Sequence, residues 1–152
     1  EEKKDKERLL AIAKASSSLP YVCPITYVDG RPMLDGGIVD SIPVLRAIEQ
    51  GYERNVVVLT RNRGYRKSEK DIRVPRFIYT RYPRLRVVLS RRCQVYNQQL
   101  EMIERMEDEG RIIAIRPEQR VVVNRIEKDI KKLTSLYEEG YACAEKVMGQ
   151  FL

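Results

Sequence analysis

Apolar residues in this chain follow two patterns, short continuous runs and repeats at three- and four-residue intervals. The runs at residues 56–59 and 112–115 are bounded by polar residues, which is typical of strands buried on both faces of a parallel sheet. Helical spacing predicts helices over residues 1–15, 43–50 and 83–109. Helices that alternate with such strands indicate an α/β fold, with a mostly parallel sheet and helices on both of its faces.

Turn and cap residues predict where several of these elements begin and end. The pair Asp29-Gly30 marks a turn between extended segments within residues 21–35. Pro43 suits the first position of a helix, because its fixed φ is already helical. Gly51 suits the C′ position at the end of that helix. These residues predict a hairpin followed by a short helix.

The last third of the chain is predicted to be helical beyond the strand at 112–115. The long helix before that strand is expected to break near Arg92, since it exceeds the usual length of globular helices. Asn124 and Glu127 have the spacing of a helix N-cap with a capping box. Gly140 is expected at a close helix contact. The apolar positions expected to face inward are Ile126, Ile130, Leu133, Tyr137, Ala144 and Val147.

Composition restricts the class of protein. A chain of 152 residues is long enough for one domain, and 43% hydrophobic with 34% charged residues excludes a disordered segment. No apolar run approaches the roughly 20 residues of a membrane span. The three cysteines, Cys23, Cys93 and Cys143, lack metal-ligand spacing and are expected to be free thiols of a cytoplasmic protein. The absence of histidine excludes a Ser–His–Asp or Cys–His mechanism within this chain.

Positive charge is concentrated in one stretch. The net charge is +7, and residues 61–92 hold twelve Lys and Arg against two acidic residues. Residues 61–82 have no clear period and are predicted to be a loop that exchanges its amide hydrogens quickly. This basic loop has three interpretations. Its charges could pair with the acidic remainder, meet anionic lipid headgroups, or bind nucleic acid with Tyr65 and neighbouring aromatic residues. Nucleic acid is the least favoured, because no recognition motif is present.

The triplet Asp35-Gly36-Gly37 is the strongest candidate for a functional site. It follows an extended segment and precedes Pro43, so that Asp35 is predicted at a strand end before a turn into a helix. Open α/β sheets present functional groups at such places. Asp before Gly is also ordinary turn chemistry. Gly36 or Gly37 is expected to adopt a positive φ.

The order of motifs around this triplet resembles the C-terminal half of patatin-like phospholipases. The resemblance is densest over residues 11–60 and looser later, at Arg116-Pro117 and over residues 125–140. The motifs that carry it are Ala15-Ser16-x-x-Leu19-Pro20, Asp35-Gly36-Gly37, Ile42-Pro43-Val44 and a helix that ends at Gly51. The resemblance implies that the chain is α/β and forms the C-terminal part of a patatin-like three-layer fold.

The resemblance also implies an acyl-ester hydrolase of the phospholipase, lipase or esterase type. Asp35 would form a Ser–Asp dyad with a serine nucleophile, Gly36 and Gly37 would form the supporting active-site turn, and the serine loop at residues 16–18 would line the site. The substrate would be a lipid or another carboxylic ester. No metal or organic cofactor would be needed.

The family's nucleophile motif, Gly-x-Ser-x-Gly, does not occur in this chain, and neither does its glycine-rich oxyanion loop. Residues 1–152 are therefore interpreted as the C-terminal portion of the domain. The nucleophile would come from the N-terminal part of the same protein, and the chain alone would be inactive. The alternative is a non-catalytic basic binding module for anionic membrane surfaces or nucleic acid.

Overall fold

The computed structural model describes residues 2–68, 74–75, 77–123 and 127–149. The described residues are mixed α/β and divide into two compact units. The first unit comprises residues 1–42 and 69–96, and the second comprises residues 43–68 and 97–152. The elements are α1 (Glu2–Ser16), β1 (Thr26–Val28), β2 (Arg31–Met33), a 3₁₀ turn (Gly36–Ile38), α2 (Val44–Glu49), β3 (Asn55–Val58), α3 (Pro83–Asp108), β4 (Ile112–Ile115) and α4 (Ile130–Met148).

The first unit contains α1 packed against the hairpin of β1 and β2. Asp29 and Gly30 both have positive φ, 49° and 74°, as a two-residue type I′ turn requires. The predicted hairpin is therefore confirmed. At the end of α1, the buried Ser18 hydroxyl lies 2.8 Å from the Thr26 hydroxyl and donates to the Lys14 carbonyl at 2.7 Å. These bonds tie the serine loop to the first strand of the hairpin.

The second unit contains a two-stranded parallel sheet in which Asn55 pairs with Ile112. The parallel pairing agrees with the prediction, but the expected burial on both faces is wrong. Val57, Ile112 and Ala114 are buried, whereas Val58 is 71% exposed. The reason is that, within the described ranges, helices cover one face of this sheet. The three-layer arrangement with a larger sheet stays a prediction.

A glycine at the C′ position ends both α2 and α3. Gly51 has φ 90°; its N–H donates to Ile48 O and the next N–H donates to Ala47 O. This is a Schellman motif, which satisfies two terminal carbonyls, and it confirms the predicted cap. Gly110, with φ 68°, ends α3 in the same way.

The helix α3 runs unbroken for 26 residues, so the predicted break near Arg92 is wrong. No Gly or Pro interrupts it after Pro83, and one apolar stripe along its length is buried. This stripe consists of Leu89, Cys93, Leu100, Ile103 and Met106, all of which are buried. Packing thus stabilises a helix longer than the average of globular proteins.

The helix α4 begins at a later residue than predicted, and it buries a different side from the one predicted. Its N-cap is Asp129, whose Oδ1 accepts from Lys131 N at 3.0 Å, and residues 127–129 are not helical. Asn124 and Ile126 lie outside the described residues.

The inward positions expected on α4 are largely wrong. Ile130 is 76% exposed, Tyr137 is 71% exposed and Leu133 is also exposed, because the helix packs on β4 through the side that carries Cys143. Ala144 and Val147 are partly buried, as expected. A Cβ at Gly140 would meet nothing within 4 Å, so the expected close contact is not found among the described residues.

All three cysteines are free, as expected, and Cys93 and Cys143 are buried. Across the described ranges, every helix is too short or too polar to cross a bilayer.

Candidate active site

The Asp35 turn lies immediately after the hairpin. The Asp35 N–H donates to Ser18 O at 3.0 Å, which joins the turn to the serine loop. The Asp35 carboxylate caps the following 3₁₀ turn, with Oδ1 accepting from Gly37 N at 2.7 Å. Ile38, the last residue of that turn, is buried and anchors it. The structure thus places Asp35 where the sequence predicted it, at the end of an extended segment and before a turn.

The two glycines act differently from the prediction. Neither Gly36 nor Gly37 has a positive φ, because both belong to a right-handed 3₁₀ turn, whose φ values are negative. Glycine is required at position 37 because a side chain there would lack space. A Cβ on Gly37 would lie 3.0 Å from Oδ1 of Asp35, whereas a Cβ on Gly36 would meet nothing within 4 Å. Gly37 therefore permits the close approach of its own N–H to the carboxylate.

The carbonyl of Gly37 fixes the far side of the turn. It accepts from Ser41 Oγ at 2.7 Å and from Arg92 Nε, on α3, at 3.2 Å. In the sequence, Arg92 belongs to the basic stretch at residues 61–92 and lies at the expected helix break. Its contact with residue 37 spans 55 positions, and no local pattern could have indicated it.

An apolar cleft of about 300 Å³ adjoins Asp35. Asp35 is the only charged side chain among the described residues that line it. Its walls come from β2, the Asp35 turn and the start of α3, with Pro32, Met33, Ile38, Val39, Leu85 and Val88 among them.

Tyr82, which precedes α3, also lines the cleft. A hydrogen bond with the Tyr27 hydroxyl raises the pKa of Tyr82 above its ordinary value. Tyr27 lies on β1 opposite Pro32.

The arrangement leaves half of the Asp35 carboxylate available. Oδ1 is held by the Gly37 N–H, whereas Oδ2 has no hydrogen-bond partner within the described ranges. A half-buried carboxylate with one fixed oxygen and one open oxygen can accept a proton from a hydroxyl group placed about 2.6–3.2 Å away. Two larger clefts, of about 870 and 760 Å³, lie in the second unit and contain no predicted site residue.

The basic loop is partly neutralised by the acidic end of α3. Arg63 pairs with Glu107 at 3.2 Å and with Asp108 at 2.7 Å, and Arg66 pairs with Glu104 at 2.7 Å. The hydrogen bond from Arg66 is the main cause that lowers the pKa of Glu104 from 4.5 to about 2. Arg63 and Arg66 are therefore paired with acidic residues outside the basic loop, which confirms the first interpretation of the loop for these two residues. Contact of the loop with anionic lipid stays a prediction, and Lys70, Arg73 and Arg76 lie outside the described residues.

Comparison with known proteins divides the chain into two matched stretches. Residues 1–48 match the family model of patatin-like phospholipases, which confirms the resemblance over that stretch, including Asp35, Gly36 and Gly37. Residues 82–152 match the model of a domain of unknown function, DUF6363. Searches among curated proteins and solved structures found no match. The first match indicates a hydrolase of the lipid acyl class.

Proposed function

We propose, from the patatin-like phospholipase sequence of residues 1–48, that this chain is part of an acyl-ester hydrolase in which Asp35 is the carboxylate of a Ser–Asp dyad. One observation carries the proposal. The Asp35 carboxylate is fixed through Oδ1 by the Gly37 N–H, keeps Oδ2 open and lies in the wall of an apolar cleft. The substrate is a lipid or another carboxylic ester.

The serine comes from the N-terminal part of the same protein, which also supplies the oxyanion donors. Asp35 Oδ2 accepts the hydroxyl proton while the serine oxygen attacks the ester carbonyl carbon. Collapse of the tetrahedral intermediate expels the alcohol, which takes the proton from Asp35, and leaves an acyl-serine. Water then attacks the acyl-serine carbonyl carbon, with Asp35 accepting its proton. Collapse of the second tetrahedral intermediate releases the carboxylic acid and expels the serine oxygen, which takes the proton back from Asp35. The Gly37 N–H keeps the carboxylate oriented in both half-reactions.

The same N-terminal part would complete a patatin-like three-layer fold. Parallel sheets are normally covered on both faces, and β3 and β4 expose Val56 and Val58 on one face. We propose that further strands and helices of the same protein extend this sheet and cover the exposed valines. This would make the chain the C-terminal portion of the domain.

Hydrolysis of a short-chain aryl ester tests the proposal. The chain alone should show no turnover, and a longer protein that supplies the nucleophile should be active. In that longer protein, Asp35→Asn should lower kcat by about 10²–10⁴-fold, the usual contribution of general-base catalysis. Asp40→Asn is the matched control, because Asp40 is an exposed carboxylate in the same loop. Turnover by the chain alone that survives Asp35→Asn would refute the assignment.

A further inference from the structure

The start of α3 forms one wall of the Asp35 cleft. Leu85 and Val88 lie three residues apart, so they share one helix face, and both line the cleft. Val87 lies between them, is 51% exposed and is not part of the lining. The wall is therefore built by one face of the helix.

Contacts on both sides of this wall hold it against the turn. Arg92 donates to the Gly37 carbonyl at 3.2 Å, and the Tyr21 N–H donates to the hydroxyl of Tyr79, shortly before α3, at 3.0 Å. Leu89 and Cys93, in the same turns of α3, are only 2% and 3% exposed. The position of Leu85 and Val88 relative to Asp35 is thus fixed by neighbours, as a binding surface requires.

The chemistry of the cleft selects an uncharged, aliphatic ligand. Its lining is apolar apart from Tyr82 and the Asp35 carboxylate, which would repel an anion. Its volume of about 300 Å³ is at the small end of ligand pockets, which are about 300–1,000 Å³. That volume corresponds to roughly ten water molecules at about 30 Å³ each, and a methylene group fills a similar space.

We propose that Leu85 and Val88 form the acyl-chain subsite of the Asp35 site, and that this subsite takes one short acyl chain of an uncharged ester. The inference rests on the function proposed above, and it adds the substrate class and the residues that select it. It also assigns a role to part of the stretch that matches the domain of unknown function, because residues 85 and 88 lie within 82–152. Specificity would then be set by a segment outside the patatin-like match.

Ligand binding tests the subsite without any need for turnover. Methyl esters of C4, C6, C8 and C12 acids are titrated into the full 152-residue chain, and methyl resonances are followed by NMR. Shifts are expected at Ile38, Leu85 and Val88. Affinity should rise about fourfold per methylene, the value of burying one CH₂, and reach a plateau below about ten carbons. Absence of shifts at these three residues would overturn the proposal.

Variants of the wall test which residues set the chain length. Leu85→Ala and Val88→Ala should move the plateau to longer chains, and Leu85→Phe should move it to shorter ones. Val87→Ala is the matched control and should leave the profile unchanged. A profile that moves equally in Val87→Ala and Val88→Ala would contradict the proposal. Leu85→Val replaces Leu85→Ala if the latter fails to fold.

Turnover of p-nitrophenyl esters by the longer protein separates this proposal from the function on which it rests. A profile of kcat/KM against chain length that follows the binding profile supports both. Asp35-dependent turnover whose profile ignores residues 85 and 88 would refute the subsite and leave the hydrolase intact. Ester binding at Leu85 and Val88 without Asp35-dependent turnover would refute the dyad and leave the subsite.

Discussion

Substitution of Gly37 by alanine separates two reasons for which a glycine can be required. Gly37 has no positive φ, so an L-residue incurs no backbone penalty there. Its Cβ would nevertheless lie 3.0 Å from Oδ1 of Asp35. Gly36→Ala is the matched control, because it changes the neighbouring residue of the same turn and meets nothing within 4 Å.

The cost of Gly37→Ala follows from the hydrogen bond that it disturbs. The carboxylate must turn away from the new methyl group and weaken its 2.7 Å bond from the residue 37 N–H. A hydrogen bond to a charged group contributes about 1.5–3 kcal/mol, and partial exposure of Asp35 reduces this to about 1 kcal/mol. Gly36→Ala should be neutral or stabilising by about 0.4–1 kcal/mol, because it restricts only the unfolded chain. The same restriction of the unfolded chain applies to Gly37→Ala, so the two variants should differ by the cost of the disturbed bond, about 1 kcal/mol.

Urea unfolding of the two variants measures this difference directly. In the longer protein, Gly37→Ala should also lower ester turnover by about tenfold, since a displacement of 1 Å at an active site can cost about a hundredfold and the methyl group moves the carboxylate by less. Gly36→Ala should keep full turnover. Equal stability and equal turnover of the two variants would refute the argument that position 37 is reserved for the approach to Asp35.

Two further predictions concern the contacts of α3 with the basic loop. The folded pKa of Glu104, about 2, is lower than its ordinary 4.5, so its pairing with Arg66 stabilises the fold fully above about pH 5 and is lost as the pH falls towards 2. Glu104→Gln should lower the free energy of unfolding by up to about 3 kcal/mol at pH 7, and its stability should converge with that of the wild type near pH 2. The control Glu101→Gln, at an exposed residue, should change the free energy of unfolding little. Urea melts at several pH values between 2 and 7 measure both effects. Asn97→Ala removes both bonds to the Lys67 backbone, of 2.7 and 3.0 Å, so the Lys67 amide should exchange faster in hydrogen exchange, and unchanged protection would count against a role for this contact.

Turns and caps could be predicted from the sequence because a few adjacent residues determine them. The hairpin turn needs two positive φ values, which Asp29 and Gly30 supply at little cost. Gly51 similarly ends α2 through bonds within its own last turn. In each case the free energy comes from dihedral preference and from hydrogen bonds that span fewer than six residues.

Apolar positions alone could not predict which faces are covered. Ile130 and Tyr137 recur at helical spacing, as a buried face would, yet both are exposed in the described part of the chain. Val58 is exposed for the same reason, although a β-branched run surrounds it. Periodicity identifies a face that can be buried, whereas its burial depends on a partner element that the pattern does not name.

The candidate site depends both on local sequence and on packing between distant parts of the chain. Asp35 could be proposed from its own triplet, because the bond from the Gly37 N–H to its carboxylate lies within residues 35–38. The wall formed by Leu85 and Val88 could not, since only the docking of α3 brings it to the turn, 50 positions away along the chain. The family matches divide the chain between these two parts, at residues 48 and 82, although the structure places both in one cleft. Under the two proposals, the reacting carboxylate depends on local geometry and the acyl-chain wall depends on packing, so substitutions at Leu85 and Val88 should alter substrate choice while leaving the Asp35 turn unchanged.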